Sequence, residues 1–220
     1  MAGQRGRAPA PPGAIALLGG AIRYALGVCA QVTPAELARP TPCPDWDLAA
    51  LLAHLAASMA DLESGLRTGL LDLGLADPVG PVPGDPVEVL RDQAANLLVT
   101  CYVHHGTDRF VVVSGMPVAA GIVACTAAVE VAVHGWDVSA ARGRAAEIPP
   151  ALAARMLGLC PLLLVSPSGL FAPPVDVPPQ ARPGDRLVAC LGRDPAAGLG
   201  PAGRPERARS GPGRPENGRH

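Results

Sequence analysis

The 220-residue sequence contains no lysine, and it has only two residues each of Trp, Tyr and Phe. Its 18 arginines and 19 acidic residues give a net charge of −1. The arginines form no basic patch interleaved with aromatic side chains, which is the usual footprint of a nucleic-acid-binding surface. The sequence therefore predicts no nucleic-acid partner.

The cysteines lack the spacing of a zinc finger or of a redox motif, because no Cys-x-x-Cys pair occurs. In a chain of this length, an even number of cysteines does not by itself indicate a disulfide framework. Four of them lie in apolar helical runs, where cysteine behaves as a small hydrophobe. We predict reduced thiols and a cytoplasmic protein. The six residues are Cys29, Cys43, Cys101, Cys125, Cys160 and Cys190.

The N-terminal region lacks an apolar run of the ~20 residues that a membrane span requires. The apolar run at residues 14–22 follows Arg5 and Arg7, as in a signal peptide. However, the segment PAPPG separates these arginines from the run, and Arg23 follows it closely. We therefore expect this run to form the first helix of a folded domain, and we expect no membrane partner.

Apolar periodicity predicts a helical chain. The main helices are expected at residues 14–31, 48–66, 87–102 and 117–143, and shorter ones at 150–165 and 186–192. Four main helices with longish connections are typical of an all-α four-helix bundle. Residues 109–113 fit either a short strand or an extended connection. The Gly/Pro/Arg-rich tails, 1–12 and 195–220, are predicted to be disordered, which leaves one domain at 13–194.

Local signals predict where several elements begin. Thr33 and Glu36 have the spacing of a capping box. Asp45 is expected to cap the second helix, with Asp47 in its first turn near the positive end of the helix dipole. Pro117 suits the first turn of the fourth helix.

Glu130 and His134 are the most informative pair in the chain. They lie four residues apart in the apolar segment 118–139 (VAAGIVACTAAVEVAVHGWDVS), so both side chains leave the same helix face. A carboxylate in so apolar a helix needs a charged partner. A metal ion with imidazole as co-ligand is one such partner. An arginine from a neighbouring helix, with His134 as an ordinary core residue, is the alternative.

Other candidate residues surround this pair. His54 lies on the shoulder of the apolar stripe of the second helix, where it is either an ordinary surface histidine or points into a cavity at one end of a bundle. Asp137 shares a face with Glu130 and His134, where it either orients an imidazole or contacts a neighbouring loop. Trp46 and Trp136 are expected to pack rather than to stack on a substrate. The adjacent residues 104 and 105, both histidine, point about 100° apart on a helix and are weak candidates for one shared ion.

Three segments together resemble a known family: residues 41–54 (TPCPDWDLAALLAH), 130–137 (EVAVHGWD) and 171–195 (FAPPVDVPPQARPGDRLVACLGRDP). They resemble actinobacterial metal-binding proteins related to the N-terminal domain of mycothiol-dependent maleylpyruvate isomerase, within the DinB-like four-helix superfamily. The resemblance covers roughly residues 14 to 195.

The resemblance implies a divalent metal ion, usually zinc, held by His54, Glu130 and His134. Three protein ligands leave a fourth position open. In the isomerases, this position is thought to bind mycothiol as cosubstrate and to activate its thiol, whose free pKa is ~8.5. The implied function is that of a mycothiol-dependent isomerase or thiol transferase. Its implied partners are a small-molecule thiol and an electrophilic substrate.

The chain departs from the full isomerases, which carry a separate C-terminal catalytic domain. Here only ~50 residues lie between the fourth helix and the predicted tail, too few for a second compact domain. The alternatives are a non-catalytic metal-binding sensor, carrier or interaction module, and a bundle with vestigial ligands. A homodimer through the glycine-rich first helix is a further expectation. Candidate arginines for binding a dicarboxylate are Arg142, Arg144, Arg155, Arg182 and Arg186.

Overall fold

The computed structural model describes residues 13–44, 46–71, 84–104, 109–144, 146–161 and 172–196. Within these ranges the chain is mostly helical, with six α-helices, one 3-10 turn (Pro34–Glu36) and a small three-stranded sheet. The helices are α1 (Ala14–Cys29), α2 (Leu48–Thr68), α3 (Pro86–Val103), α4 (Ala120–Ala141), α5 (Pro150–Leu157) and α6 (Pro183–Cys190). The strands are β1 (Leu70–Leu71), β2 (Phe110–Val113) and β3 (Met116–Ala119).

The prediction of a mainly helical protein is confirmed, although an all-α class omits the sheet. The main helices lie within a few residues of their predicted positions, and α6 begins at Pro183, earlier than predicted. α5 ends at Leu157, and residues 162–165 of its predicted extent lie outside the described residues. The predicted tail at 1–12, most of the tail at 195–220 and most of the loop at 74–86 also lie outside them.

The sheet changes the predicted start of α4. Strand β1 pairs in parallel with β2, and β2 pairs antiparallel with β3 through a two-residue turn. Both turn residues, Ser114 and Gly115, have positive φ, as a tight hairpin turn requires. Pro117 lies in β3 opposite Val112, not in the first turn of α4. Proline is tolerated there because β3 is an edge strand.

The helix ends show which of the predicted capping residues are used. The capping box of Thr33 and Glu36 is present as predicted. The cap of α2 is Asp47, whose Oδ1 accepts a hydrogen bond from the Ala50 amide at 2.8 Å. The prediction that Asp45 caps this helix was therefore wrong, because Asp47 immediately precedes the first helical residue; Asp45 itself lies outside the described residues.

Helix α4 is the central helix of the fold. It packs along α1 on one side and against α2 on another, while α2 also packs along α3. Gly135 allows the close approach of α1, since a Cβ there would lie 3.1 Å from the Cα of Ala25. By length and composition α4 is apolar enough to cross a membrane, but 67% of its apolar window is buried inside the protein. Such burial is typical of the core helix of a soluble protein.

A buried arginine anchors the C-terminal end of α4. The Arg142 side chain is 3% exposed, and its Nε lies 3.2 Å from Glu36 Oε2. The same guanidinium donates hydrogen bonds to the backbone carbonyls of Val28 and Gln31. Arg142 therefore ties the end of α1 and the 3-10 turn to the end of α4.

Candidate metal centre

The packing of α2 against α4 brings three candidate ligands together. His54 from α2, and Glu130 and His134 from α4, each have one ligand atom within 4.8 Å of the others. Nε2 of His54 lies 3.5 Å from Oε1 of Glu130. The side chain of Glu130 is 32% exposed and that of His134 is 11% exposed, so the cluster meets solvent on the Glu130 side.

Glu130 is held as a carboxylate by polar neighbours. Burial alone would raise its pKa, but hydrogen bonds from His54 and Ser58 hold this pKa below its usual range. The Ser58 hydroxyl donates to Oε1 at 2.8 Å, from a position one helical turn after His54. Among the described residues, no arginine forms an ion pair with Glu130. The alternative in which an arginine from a neighbouring helix pairs with Glu130 is thus not found in the described part of the chain.

His134 uses its two ring nitrogens differently. Its Nδ1 lies 3.0 Å from Oδ2 of Asp137, a carboxylate with no solvent exposure. We assign the ring proton to Nδ1, because an ionised carboxylate can only accept. This leaves the lone pair of Nε2 free to coordinate a metal ion. Burial opposes the charge of Asp137, but the His134 hydrogen bond and the Arg193 charge hold its pKa below the usual range.

Arg193 and Cys43 complete the surroundings of Asp137. The Arg193 guanidinium places Nη2 3.0 Å from Oδ2 and Nε 3.4 Å from Oδ1. The Cys43 thiol donates to Oδ2 at 3.3 Å. Burial, and then the charge of Asp137, raises the pKa of the Cys43 thiol to about 12. Cys43 is therefore a protonated donor at neutral pH.

Cys43, His134 and Asp137 form a second group whose potential ligand atoms lie within 4.8 Å of one another. A cation is already present there, because the Arg193 guanidinium contacts both Asp137 Oδ2 and, at 3.7 Å, the Cys43 sulfur. We interpret this group as support for His134 rather than as a second metal centre.

Trp46 packs against both imidazoles of the cluster. The ring centroid of Trp46 lies 4.5 Å from that of His54 and 6.4 Å from that of His134. The two imidazoles meet edge to face at 5.1 Å. Trp136 is buried, with 9% exposure. Trp136 is thus part of the packed interior, and Trp46 packs directly against the rings of the candidate ligands.

His104, the described member of the other histidine pair, does not join the cluster. His104 follows the last turn of α3, and its Nδ1 lies 2.7 Å from a guanidinium nitrogen of Arg109. His105 lies outside the described residues. Sequence reasoning also missed two contributors, Ser58 and Arg193, and it left Cys43 out of the candidate ligands. The i, i+4 spacing from His54 could have indicated Ser58, whereas no local signal connects Arg193 to α4.

The donor set fits a divalent metal ion. Zinc binds imidazole nitrogen and carboxylate oxygen at about 2.0–2.2 Å, so two ligands of a tetrahedral ion lie about 3.4 Å apart. The observed 3.5 Å between His54 Nε2 and Glu130 Oε1 matches this separation. Two imidazoles and one carboxylate form the donor set of catalytic zinc sites that retain an open coordination position.

The helical domain and its His/Glu/His cluster place the protein among candidate metal-binding proteins. Comparison with known sequences identifies its family. The chain belongs to the mycothiol maleylpyruvate isomerase N-terminal domain family, which it matches over residues 18–139, and thus to the DinB-like superfamily. No curated protein and no solved structure gives a significant match. The matched region contains all three candidate ligands, whereas Arg193 lies outside it.

Proposed function

We propose that this protein binds a divalent metal ion, zinc being the best fit, through His54, Glu130 and His134. The main observation is the convergence of the three donors, with an ionised Glu130 that pairs with no arginine in the described structure. The fold proposed for this function is a DinB-like four-helix bundle made of α1 to α4. The pairing of α1 with α4, of α2 with α3 and of α2 with α4 supports it.

The proposed activity is mycothiol-dependent isomerisation or thiol transfer to an electrophilic substrate. When bound, zinc supplies a Lewis acid that lowers the pKa of a coordinated thiol. The chain's own residues have distinct roles in this proposal. His54, Glu130 and His134 bind the ion, Asp137 holds the proton on Nδ1 of His134, and Trp46 shields the imidazoles from water. The family match supports mycothiol as the thiol.

A non-catalytic role as a metal-binding sensor or interaction module is the second candidate. The observation that favours it is the extent of the match, because the family is defined by the N-terminal domain of the isomerase alone. We place the protein in the cytoplasm, without nucleic-acid or membrane partners. We also propose a homodimer, and a monomer in gel filtration at high concentration would contradict that.

Cobalt substitution tests thiol binding at the proposed site. The cobalt-loaded protein is titrated with mycothiol in a Cys43→Ser background, so that no thiol of the protein itself lies beside His134. We expect a sulfur-to-cobalt charge-transfer absorption that saturates with mycothiol and is missing with S-methylated mycothiol. His54→Ala should lose this absorption.

The outcomes separate the two candidates. A saturable band accompanied by turnover of a maleylpyruvate-type substrate supports the enzyme. Cobalt binding that mycothiol does not perturb contradicts the thiol-dependent activity and favours the sensor or interaction module.

A further inference from the structure

The C-terminal segment reaches the candidate metal centre through one side chain. Arg193 lies 56 residues after Asp137 in sequence, yet its guanidinium contacts both oxygens of that carboxylate. The Arg193 side chain is 12% exposed and the Asp137 side chain is fully buried. Such a two-point contact in a buried setting fixes both partners in orientation, because the guanidinium fork matches the carboxylate geometry.

The backbone around Arg193 is built to hold this side chain in place. The turn after α6 uses Gly192 with φ of 82°, and a Cβ there would lie only 2.7 Å from the carbonyl oxygen of Ala172. The amide of Arg193 donates to the Val188 carbonyl at 3.0 Å, and its Nη1 donates to the Leu191 carbonyl at 2.9 Å. These hydrogen bonds fix Arg193 to the C-terminal end of α6, independently of its contact with Asp137.

The contacts form a chain that ends on a ligand. Arg193 holds Oδ2 of Asp137, and the same oxygen accepts the Nδ1 proton of His134. A carboxylate at this position fixes the tautomer and ring orientation of the imidazole, so that Nε2 faces the ligand cluster. Cys43 adds a third donor to this oxygen. The oxygen is thereby kept from rotating away from the ring.

We infer that Asp137 and Arg193 are positioning residues for the ligand His134, so that the C-terminal segment outside the family match completes the metal centre. This inference rests on the proposed function, because it assigns His134 to a metal. It goes further in giving the site a part that residues 18–139 do not contain.

Zinc affinity, measured by competition with a chromophoric chelator, tests the inference on the full chain. Loss of an outer partner of a metal ligand typically weakens metal affinity by about 10–100-fold. We expect a loss in this range for Asp137→Asn and a loss of about 10-fold for Arg193→Met. Arg193→Lys should recover part of the loss. Thermal unfolding of the metal-free variants shows that each is folded.

Arg182→Met is the matched control. Arg182 also lies in the C-terminal segment and pairs with Asp185 and Glu147, but its side chain is 57% exposed and it touches no ligand. Its zinc affinity should stay within about two-fold of that of the unaltered chain.

A second readout does not depend on metal. Long-range proton–nitrogen NMR spectra of the metal-free protein should show His134 as the Nδ1–H tautomer, and Asp137→Asn should show a mixture. An Nε2–H tautomer in the unaltered chain overturns the inference. Folded Asp137→Asn and Arg193→Met variants that bind zinc as tightly as the unaltered chain also overturn it. An unaltered chain that binds no zinc overturns the proposed function together with this inference, whatever the tautomer.

Discussion

Helix α4 packs closely against α1 on one side, and on the side toward α2 it carries polar side chains that form a cluster. Toward α1, Gly135 brings the helices so close that an added methyl group would lie 3.1 Å from the Cα of Ala25. Toward α2, the facing residues are the long polar side chains His54, Glu130 and His134, whose donor atoms converge. At Gly135 the first side leaves no room for a side chain, because the Ala25 backbone and the Tyr24 ring would both lie 3.1 Å from an added Cβ. The comparison shows that one nearly all-apolar helix can combine close packing on one side with a cluster of candidate metal ligands on another.

The largest expected effect comes from breaking the α2 side. Glu130→Gln keeps the size of the side chain and an acceptor for Ser58 but removes the charge. We expect zinc affinity to fall by more than the roughly 100-fold that loss of an outer partner causes, because a ligand itself is changed. Chelator competition measures it.

Glu63→Gln is the matched control for this change. Glu63 is also a carboxylate that accepts a hydroxyl hydrogen bond, from Thr100, and it is 23% exposed. It lies in no candidate ligand group of the described chain. Zinc binding reduced equally by both substitutions would show a general charge effect instead of a ligand.

Breaking the α1 side should change stability instead. In Gly135→Val, the added groups would press on the backbone of α1, and overpacking of this kind costs about 3 kcal/mol. Urea unfolding of the metal-free protein measures this. In Gly27→Ala, by contrast, the exposed helical glycine has nothing within 4 Å of the added methyl, and we expect a gain of about 0.5–1 kcal/mol. Equal effects of the two substitutions would contradict the close packing of α4 against α1.

A smaller effect is expected at the end of α4. Arg142→Met removes hydrogen bonds to the Val28 and Gln31 carbonyls, at a cost of about 2 kcal/mol. Arg39→Met, which removes a 46%-exposed partner of Glu36, should change stability by less than about 1 kcal/mol. Thermal unfolding distinguishes the two variants, and a larger loss for Arg39→Met would contradict the anchoring role of Arg142.

The contact between Glu36 and Arg142 leads to a prediction about the pH dependence of stability. The Thr33 backbone hydrogen bond, with a contribution from Arg142, holds the pKa of Glu36 below its usual range. A folded-state pKa below the unfolded value stabilises the fold above the unfolded pKa of about 4.3, and this stabilisation is lost as the pH falls through the folded value. Arg142→Met should therefore reduce the stability difference between pH 7 and pH 3. An unchanged difference would contradict an Arg142 contribution.

The sequence predicted the cluster of candidate ligands that the structure brings together better than it predicted the surroundings of that cluster. Glu130 and His134 follow from helical periodicity within one apolar segment, and the family resemblance added His54. Local signals were ambiguous where two residues of the same type could cap one helix, as with Asp45 and Asp47 at the start of α2. Pro117 was assigned to a helix because proline fits a first helical turn as well as an edge strand.

Arg193 could not be predicted for a different reason. Its contact with Asp137 spans 56 residues and depends on how the C-terminal segment packs beside α4. Five other arginines were named from the sequence, as candidates for binding a dicarboxylate, and none of them could be preferred. Of these, Arg142 proved to be an anchor for Glu36, and Arg182 is an exposed side chain that pairs with Glu147 and Asp185. Burial and tertiary contacts, which sequence spacing does not contain, separate the arginines.

The most direct test of the central claim is the metal content of the untagged full chain by plasma mass spectrometry, with His134→Ala beside it. The account predicts about one zinc ion per chain in the unaltered protein and none in the variant. An unaltered chain without stoichiometric metal, even after reconstitution with zinc, would contradict the metal centre at His54, Glu130 and His134.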